Sequence, residues 1–168
     1  MEISLSGKVV LVTGGSRVIG AAIAKACLDS GAKVALHYNS NKAQANEVLK
    51  GLNAESRAFQ ADLGNTDSLI QLFEQVVTHY GKIDVLVNNA ALYGGLKGAR
   101  FEQLEEAQWD AVMNINVKGL WQCCKAVVDP MRAAGGGSII NISSLAAVYG
   151  LPYGMDYVAS KAAVIGMT

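Results

Sequence analysis

Proline and cysteine are scarce in this chain, and neither sign of charge dominates. The 168 residues include 2 prolines and 3 cysteines, and 14 basic side chains balance 14 acidic ones. Cys27, Cys123 and Cys124 lack the spacing of metal ligands or of a disulfide framework, so we expect no metal site and a reducing environment. A formal net charge of zero without a basic cluster argues against a nucleic-acid partner.

Long apolar segments are also missing, although 51% of the residues are hydrophobic. The apolar residues come in short runs broken by charges and glycines, and none approaches the length of a membrane-spanning helix. The first residues, MEISLSGK, lack the basic and apolar regions of a signal peptide. We therefore expect a cytoplasmic protein with no membrane partner, and the length fits a single domain over residues 1–168.

Short apolar runs rich in β-branched residues recur along the chain, with helical patterns between them. They cover residues 8–13, 33–37, 56–60, 83–87 and 138–142. Strands that alternate with helices favour right-handed crossovers between parallel strands. We predict an α/β fold, a Rossmann-like doubly wound parallel sheet in three α/β/α layers, with its ligand site at the carboxyl ends of the strands.

A glycine-rich turn, GGSRVIG at residues 14–20, joins the first predicted strand to a helical pattern. This context is typical of a dinucleotide-binding turn, because glycines let the backbone approach a pyrophosphate and the helix start presents N–H groups to its charge. On its own, such a turn is equally consistent with a tight structural connection.

Tyr157 and Lys161 are four residues apart, which places their side chains on one face of a helix. A fixed ammonium near a phenol favours the ionised form, and so suits the pair to proton transfer at neutral pH. A solvated helix face that happens to carry both residues is the alternative.

Together these segments resemble the classical short-chain dehydrogenase/reductase family over the whole chain. Thr13, Gly14 and Gly20 match the family's TGxxxGxG turn, and the sequence NNAA at residues 88–91 resembles its NNAG motif. Val18 departs from the turn motif, since it stands where the middle glycine belongs, and we expect it to weaken cofactor binding. His37 and His79 match no family motif and receive no catalytic role.

The resemblance implies a catalytic tetrad of Asn116, Ser144, Tyr157 and Lys161. Asn116 lies in a segment similar to the family's NxxG, whereas Asn114 does not fit that spacing. Ser144 is preferred to its neighbour Ser143 because it precedes the tyrosine by thirteen positions.

The resemblance also implies a dinucleotide site. Its residues are Gly14, Ser16, Arg17, Ile19, Gly20, Asn39, Ser40, Asp62, Leu63, Asn88, Ala90, Tyr157 and Lys161. No acidic residue follows the second predicted strand at positions 36–42, and Arg17 lies in the glycine turn. An acid there would bind the ribose hydroxyls of NAD, so we favour NADP(H), with NAD(H) as the alternative.

The resemblance implies an oxidoreductase that interconverts a ketone and a secondary alcohol by hydride transfer. We expect a small uncharged carbonyl or alcohol as substrate, with a 3-oxoacyl thioester also possible, and a homodimer or homotetramer built through helices at residues 105–132 and from 157 onward. Relatives continue beyond the position of Thr168, so we expect the domain to be incomplete at its C-terminus. The alternative is a catalytically inactive nucleotide-binding or interaction domain.

Overall fold

The computed structural model describes residues 4–93 and 99–168. Within them lies a five-stranded sheet in the order β3-β2-β1-β4-β5, in which every neighbouring pair is parallel. The strands are β1 (Val9–Val12), β2 (Lys33–Tyr38), β3 (Arg57–Gln60), β4 (Val85–Asn88) and β5 (Ser138–Asn141). The Rossmann-like α/β prediction is therefore confirmed, and each strand falls on one of the predicted apolar runs.

Helices lie between the strands and after the last one. They are α1 (Val18–Asp29), α2 (Lys42–Lys50), α3 (Thr66–Tyr80), α4 (Glu106–Met113), α5 (Leu120–Ala133), α6 (Ala146–Tyr149) and α7 (Met155–Gly166). A short 3-10 turn, Phe101–Gln103, precedes α4. None of the helices in the described part of the chain is long and apolar enough to cross a membrane.

Two apolar layers hold the sheet between its helices. All four residues of β1 are buried, and alternate residues point into opposite layers. Leu11 and Leu86 join side chains of α3 and α5 on one face, while Val10 and Val12 join Ala24 of α1 on the other. The continuous β-branched run of β1 thus reflects burial on both faces.

A π-helical segment, Asn114–Gly119, joins α4 to α5 without a break. Such an insertion shifts the backbone hydrogen-bond register and is often found at functional sites. The Asn114 side-chain amide donates to the Gly64 carbonyl, 3.0 Å away, and so ties the segment to the turn after β3. The π segment therefore lies beside the carboxyl edge of the sheet.

Candidate active site

The glycine turn after β1 is fixed from two neighbouring strands. On the β4 side, the Asn89 side-chain amide donates to the carbonyl oxygens of Thr13 and Gly14, at 2.9 and 3.1 Å. The Thr13 hydroxyl oxygen accepts from the backbone N–H groups of Asn89 and Ala90. On the β2 side, the His37 ring accepts from the Gly14 N–H at 3.0 Å. The turn is thus held by contacts with the strands on both sides of β1.

Two glycines of this turn have no space for a side chain. Gly14 adopts φ +62°, and a Cβ on it would lie 2.8 Å from the Ala90 Cα atom. Gly20, in the first turn of α1, would place a Cβ against the Gly14 carbonyl and 2.6 Å from the Asn89 amide nitrogen. Both glycines therefore allow the turn, the start of α1 and the end of β4 to approach closely.

A cleft of about 290 Å³ opens over this turn at the carboxyl ends of β1, β2 and β4. Nine of the thirteen predicted cofactor residues line it: Gly14, Ser16, Arg17, Ile19, Gly20, Asn39, Asp62, Leu63 and Ala90. Six further residues also line it: Val18, His37, Asn89, Ala91, Leu92 and Ile115. The N-terminus of a twelve-residue helix, α1, forms one wall, which is suited to a pyrophosphate.

The other four predicted cofactor residues do not line the cleft: Tyr157 and Lys161 lie on α7, and Asn88 and Ser40 lie at or beyond the ends of strands. Asn88 is buried between strands, where its side-chain amide donates to Asn141 Oδ1 at 2.9 Å and to the Cys124 sulfur at 3.3 Å. Ser40 is exposed beyond the end of β2 and does not line the cleft. In this structure Asn88 thus joins β4 to β5 and α5, while its neighbour Asn89 faces the cleft.

Asp62 is fixed by hydrogen bonds at the turn after β3. Its Oδ1 atom accepts from the Gly64 N–H at 2.8 Å, and its own N–H donates to the Ser68 hydroxyl. These bonds fix the side chain at the wall of the cleft. Its carboxylate can therefore accept a further hydrogen bond from a ligand.

Val18 has an unusual backbone conformation. Among the described residues it is the one non-glycine with positive φ, at +30°, and its side chain is 86% exposed. A β-branched side chain is strained in this region, and no apolar packing offsets the strain. The position that departs from the family motif is thus also a strained position in the wall of the cleft.

Asn116 links three elements beside the cleft. Its side chain is 1% exposed; it accepts from the Leu92 N–H at 2.7 Å and donates to the Leu92 carbonyl at 3.2 Å. It also donates to the Ser160 hydroxyl at 3.1 Å, and that hydroxyl donates to the Tyr157 carbonyl at 2.7 Å. Leu92 lines the cleft, so this network connects the cleft wall to the helix that carries Tyr157.

Tyr157 and Lys161 share one face of α7, as their spacing predicts. Lys161 Nζ lies 5.9 Å from the centre of the Tyr157 ring and donates to the Ile142 carbonyl at 2.7 Å. The lysine is 3% exposed, and its burial lowers its pKa from the usual value. The carbonyl after β5 thus anchors a desolvated ammonium next to the phenol ring.

The two serines after β5 have different partners. Ser143 donates to the Lys161 carbonyl at 2.7 Å and so supports α7. The Ser144 hydroxyl oxygen accepts from the Ala146 N–H at 3.1 Å, and its own proton remains available to a ligand. Of the two serines, Ser144 is therefore the one whose hydroxyl proton can bond to a ligand.

His37 has no role in the site predicted from the sequence. It is buried, at 2% exposed, and lies at the end of β2 beneath the cleft. A polar residue within a mostly apolar strand was the available signal, but its side-chain partners, Gly14 and Ala61, lie in the turns after β1 and β3. No three His, Cys, Asp or Glu side chains in residues 4–93 and 99–168 are placed to share a metal ion.

Comparison with known proteins agrees with this geometry. A family model described as short chain dehydrogenase matches residues 8–168. The chain belongs to this family. Family membership accounts for the coincidence of a glycine turn after β1 with a Tyr–Lys pair on α7.

Similar relatives are curated as 3-oxoacyl-[acyl-carrier-protein] reductases. The protein of Staphylococcus epidermidis is 38% identical over 164 residues, covering 96% of this chain and 66% of the relative. That of Thermotoga maritima is 38% identical over 167 residues, with 98% and 66% coverage. That of Synechocystis is 38% identical over 168 residues, with 98% and 67% coverage. The chain therefore spans about 66% of the length of the first two of these relatives.

Proposed function

We propose that the protein is an NADP(H)-dependent oxidoreductase that interconverts a carbonyl compound and a secondary alcohol. The observation that carries the proposal is the buried Lys161 ammonium, 5.9 Å from the Tyr157 ring. The Asn116–Leu92 hydrogen bonds connect this pair to a cleft with the features of a dinucleotide site. An acid–base group beside a dinucleotide cleft is the arrangement that hydride transfer to a carbonyl requires.

Several features of the cleft fit a dinucleotide. Gly14 and Gly20 let the turn after β1 pack closely against the start of α1, where N–H groups and the helix dipole favour an anionic pyrophosphate. Asp62 offers a carboxylate at the opposite wall, after β3. When bound, the nicotinamide supplies or accepts the hydride.

The protein's own residues would manage the proton. In the direction of reduction, the Tyr157 hydroxyl gives its proton to the substrate oxygen while the substrate carbon gains a hydride. The Ser144 hydroxyl donates a hydrogen bond to the same oxygen and holds it in place. The Lys161 ammonium favours the phenolate left on Tyr157, and the Asn116–Ser160 bonds fix the helix that carries both groups.

NADP(H) is favoured over NAD(H) by the polar residues near β2. Arg17 and Asn39 both line the cleft and are exposed, so they can reach a 2′-phosphate. Residues 36–42 contain no acid that would repel it. Titrations with NADP⁺ and NAD⁺ test this preference, and tighter binding of NAD⁺ would contradict it.

The segment after Ser144 supports an uncharged substrate. Leu145, Val148 and Tyr149 are exposed, as are Leu151 and Tyr153. The similar reductases are named for 3-oxoacyl groups on acyl carrier protein. We therefore include a 3-oxoacyl thioester with simple ketones in the proposed substrate class, because the reacting end of each is an uncharged carbonyl.

The test is a comparison of the full chain with Tyr157→Phe, using NADPH and a panel of ketones and 3-oxoacyl thioesters. We expect turnover to fall about 10³-fold in the variant, since a positioned general acid contributes on that order. The dissociation constant for NADP⁺ should change little. Loss of turnover and of NADP⁺ binding together would instead indicate a structural role for Tyr157.

A second candidate is a nucleotide-binding domain without turnover. The strained, exposed Val18 in the cleft wall favours it, because this residue stands close to the expected pyrophosphate position. NADP⁺ binding without turnover on any member of the panel would support this candidate over the oxidoreductase.

We further propose that the protein forms a homo-oligomer through its α4–α5 helices. Trp121 is half-exposed on α5 and, with Met113 and Met167, lines a shallow depression. Light scattering of the purified chain distinguishes a dimer or tetramer from a monomer.

A further inference from the structure

The buried ring of His37 bridges two turns at the carboxyl edge of the sheet. Its Nδ1 atom lies 3.0 Å from the Gly14 backbone nitrogen, and its Nε2 atom lies 3.0 Å from the Ala61 carbonyl oxygen. The ring therefore connects the glycine turn after β1 to the turn after β3, in which Asp62 is the next residue. Both turns line the proposed dinucleotide cleft.

The chemistry of the two partners defines the protonation state of this ring. A backbone N–H can only donate, so Nδ1 must carry a lone pair toward Gly14. A carbonyl oxygen can only accept, so Nε2 must carry the proton toward Ala61. The geometry is satisfied by the neutral Nε2–H tautomer and by no other form of the ring.

The same residue also holds the next amide of the turn. The Gly15 N–H donates to the His37 carbonyl oxygen at 2.9 Å. Both backbone polar groups of Gly14 are then bonded, its N–H to His37 and its carbonyl to Asn89 at 3.1 Å. Two strands flanking β1 thus orient the glycine whose backbone borders the cleft.

We propose that His37 is a positioning residue for the dinucleotide, which acts by accepting the Gly14 N–H in its neutral Nε2–H tautomer. The inference rests on the proposed function, because the dinucleotide of that reaction is its ligand. A purely structural role would affect only folding. A positioning role requires that the acceptor atom at Nδ1 also affect dinucleotide affinity in protein that is already folded.

Two substitutions separate the two hydrogen bonds of the ring. Asn places its Oδ1 near the position of the histidine Nδ1, so His37→Asn keeps an acceptor for Gly14 and loses the donor to Ala61. Gln places its Nε2 near the histidine Nε2, so His37→Gln keeps the donor and loses the acceptor. Tyr38→Phe is the matched control, because Tyr38 is also buried in β2 but packs in the opposite layer.

The measurement is the dissociation constant for NADP⁺ by calorimetry, with each variant's folding checked by circular dichroism. We expect His37→Asn and Tyr38→Phe to bind within about twofold of wild type, and His37→Gln about tenfold more weakly, because a buried N–H is left unsatisfied. If wild type binds NADP⁺ and the two His37 variants bind it with equal affinity, the inference about His37 is wrong while the proposed function stands. No binding by wild type would overturn the proposed function as well.

A measurement on the wild-type protein covers the case in which a variant fails to fold. Long-range ¹H–¹⁵N correlation spectra of the imidazole ring report which nitrogen carries the proton. The inference requires a single Nε2–H tautomer for His37 at pH 7. An Nδ1–H tautomer or an averaged pattern would overturn it.

Discussion

The ring of Tyr93 packs on the ring of Tyr157, with centroids 4.5 Å apart and an interplanar angle of 47°. Tyr93 follows β4 and is exposed, whereas Tyr157 is half-buried on α7. The proposed acid–base group therefore has two different neighbours, the Lys161 ammonium and an aromatic ring. The ammonium places a positive charge near the Tyr157 ring, and the Tyr93 ring restricts its orientation.

Removing this aromatic contact should weaken catalysis without removing it. We expect Tyr93→Ala to lower kcat/KM for the carbonyl substrate about five- to tenfold, since an aromatic pair contributes about 1 kcal/mol. Tyr93→Phe retains the ring, so its kcat/KM should stay within about twofold of wild type. A twofold change corresponds to about 0.4 kcal/mol, since about 1.4 kcal/mol corresponds to a tenfold change. Steady-state kinetics of both variants would measure this. An equal loss in both would assign the effect to the hydroxyl instead.

Val18 offers a test of backbone strain at the cleft. Val18→Gly removes a β-branched side chain from φ +30°, so we expect NADP⁺ to bind several-fold more tightly. Thermal stability should change by less than about 1 kcal/mol, because the relief of strain is offset by the greater flexibility of glycine in the unfolded chain.

Val18→Ala is the matched control, because it removes most of the side chain but keeps a Cβ at a positive φ. Tighter NADP⁺ binding in both variants would identify side-chain crowding as the cause, and tighter binding in the glycine variant alone would identify strain. An unchanged dissociation constant in both would contradict the expected effect of Val18.

Gly20 should not tolerate even a methyl group. In Gly20→Ala the new Cβ would meet the Gly14 carbonyl and the Asn89 side-chain amide, both of which hold the glycine turn. We expect a loss of stability of about 2 kcal/mol and at least a tenfold loss in NADP⁺ affinity. Chemical denaturation and calorimetry measure the two effects.

Gly166 supplies the comparison, because it also lies in a helix but a Cβ on it would meet nothing within 4 Å. Gly166→Ala should be neutral or stabilising by up to about 1 kcal/mol, with NADP⁺ binding unchanged. If Gly20→Ala behaved like Gly166→Ala, the close approach of α1 to the turn would not matter for binding.

Local sequence was sufficient for much of the fold. The run KVVLVT predicts a strand buried on both faces, and Val9–Val12 is such a strand. The lining of the cleft could also be predicted in large part, because Gly14, Gly20 and Asp62 follow strands that end at one edge.

Other features depend on partners distant in sequence. The π segment Asn114–Gly119 leaves little trace in the apolar pattern, since it changes the hydrogen-bond register within a continuous helix. Asn88 and Asn89 are adjacent and identical, so their different roles follow from the alternating faces of a strand end. The positive φ of Val18 and the bridging role of His37 likewise depend on three-dimensional packing.

The buried His37 should make folding sensitive to mild acid. Burial lowers the pKa of its ring to about 4, although the Ala61 hydrogen bond and the Asp62 charge act in the opposite direction. In the unfolded chain the ring is protonated below its usual pKa, so the unfolded state binds more protons than the native state between pH 6.5 and 4. Stability is therefore full above pH 6.5 and falls as the pH drops toward 4, by about 3 kcal/mol in total. Urea denaturation across this range would measure the slope of unfolding free energy against pH.

His37→Asn carries no titrating ring, so its slope should be shallower than that of wild type, whereas Tyr38→Phe should keep the wild-type slope. Parallel slopes for wild type and His37→Asn would show that His37 titrates alike in the folded and unfolded chain.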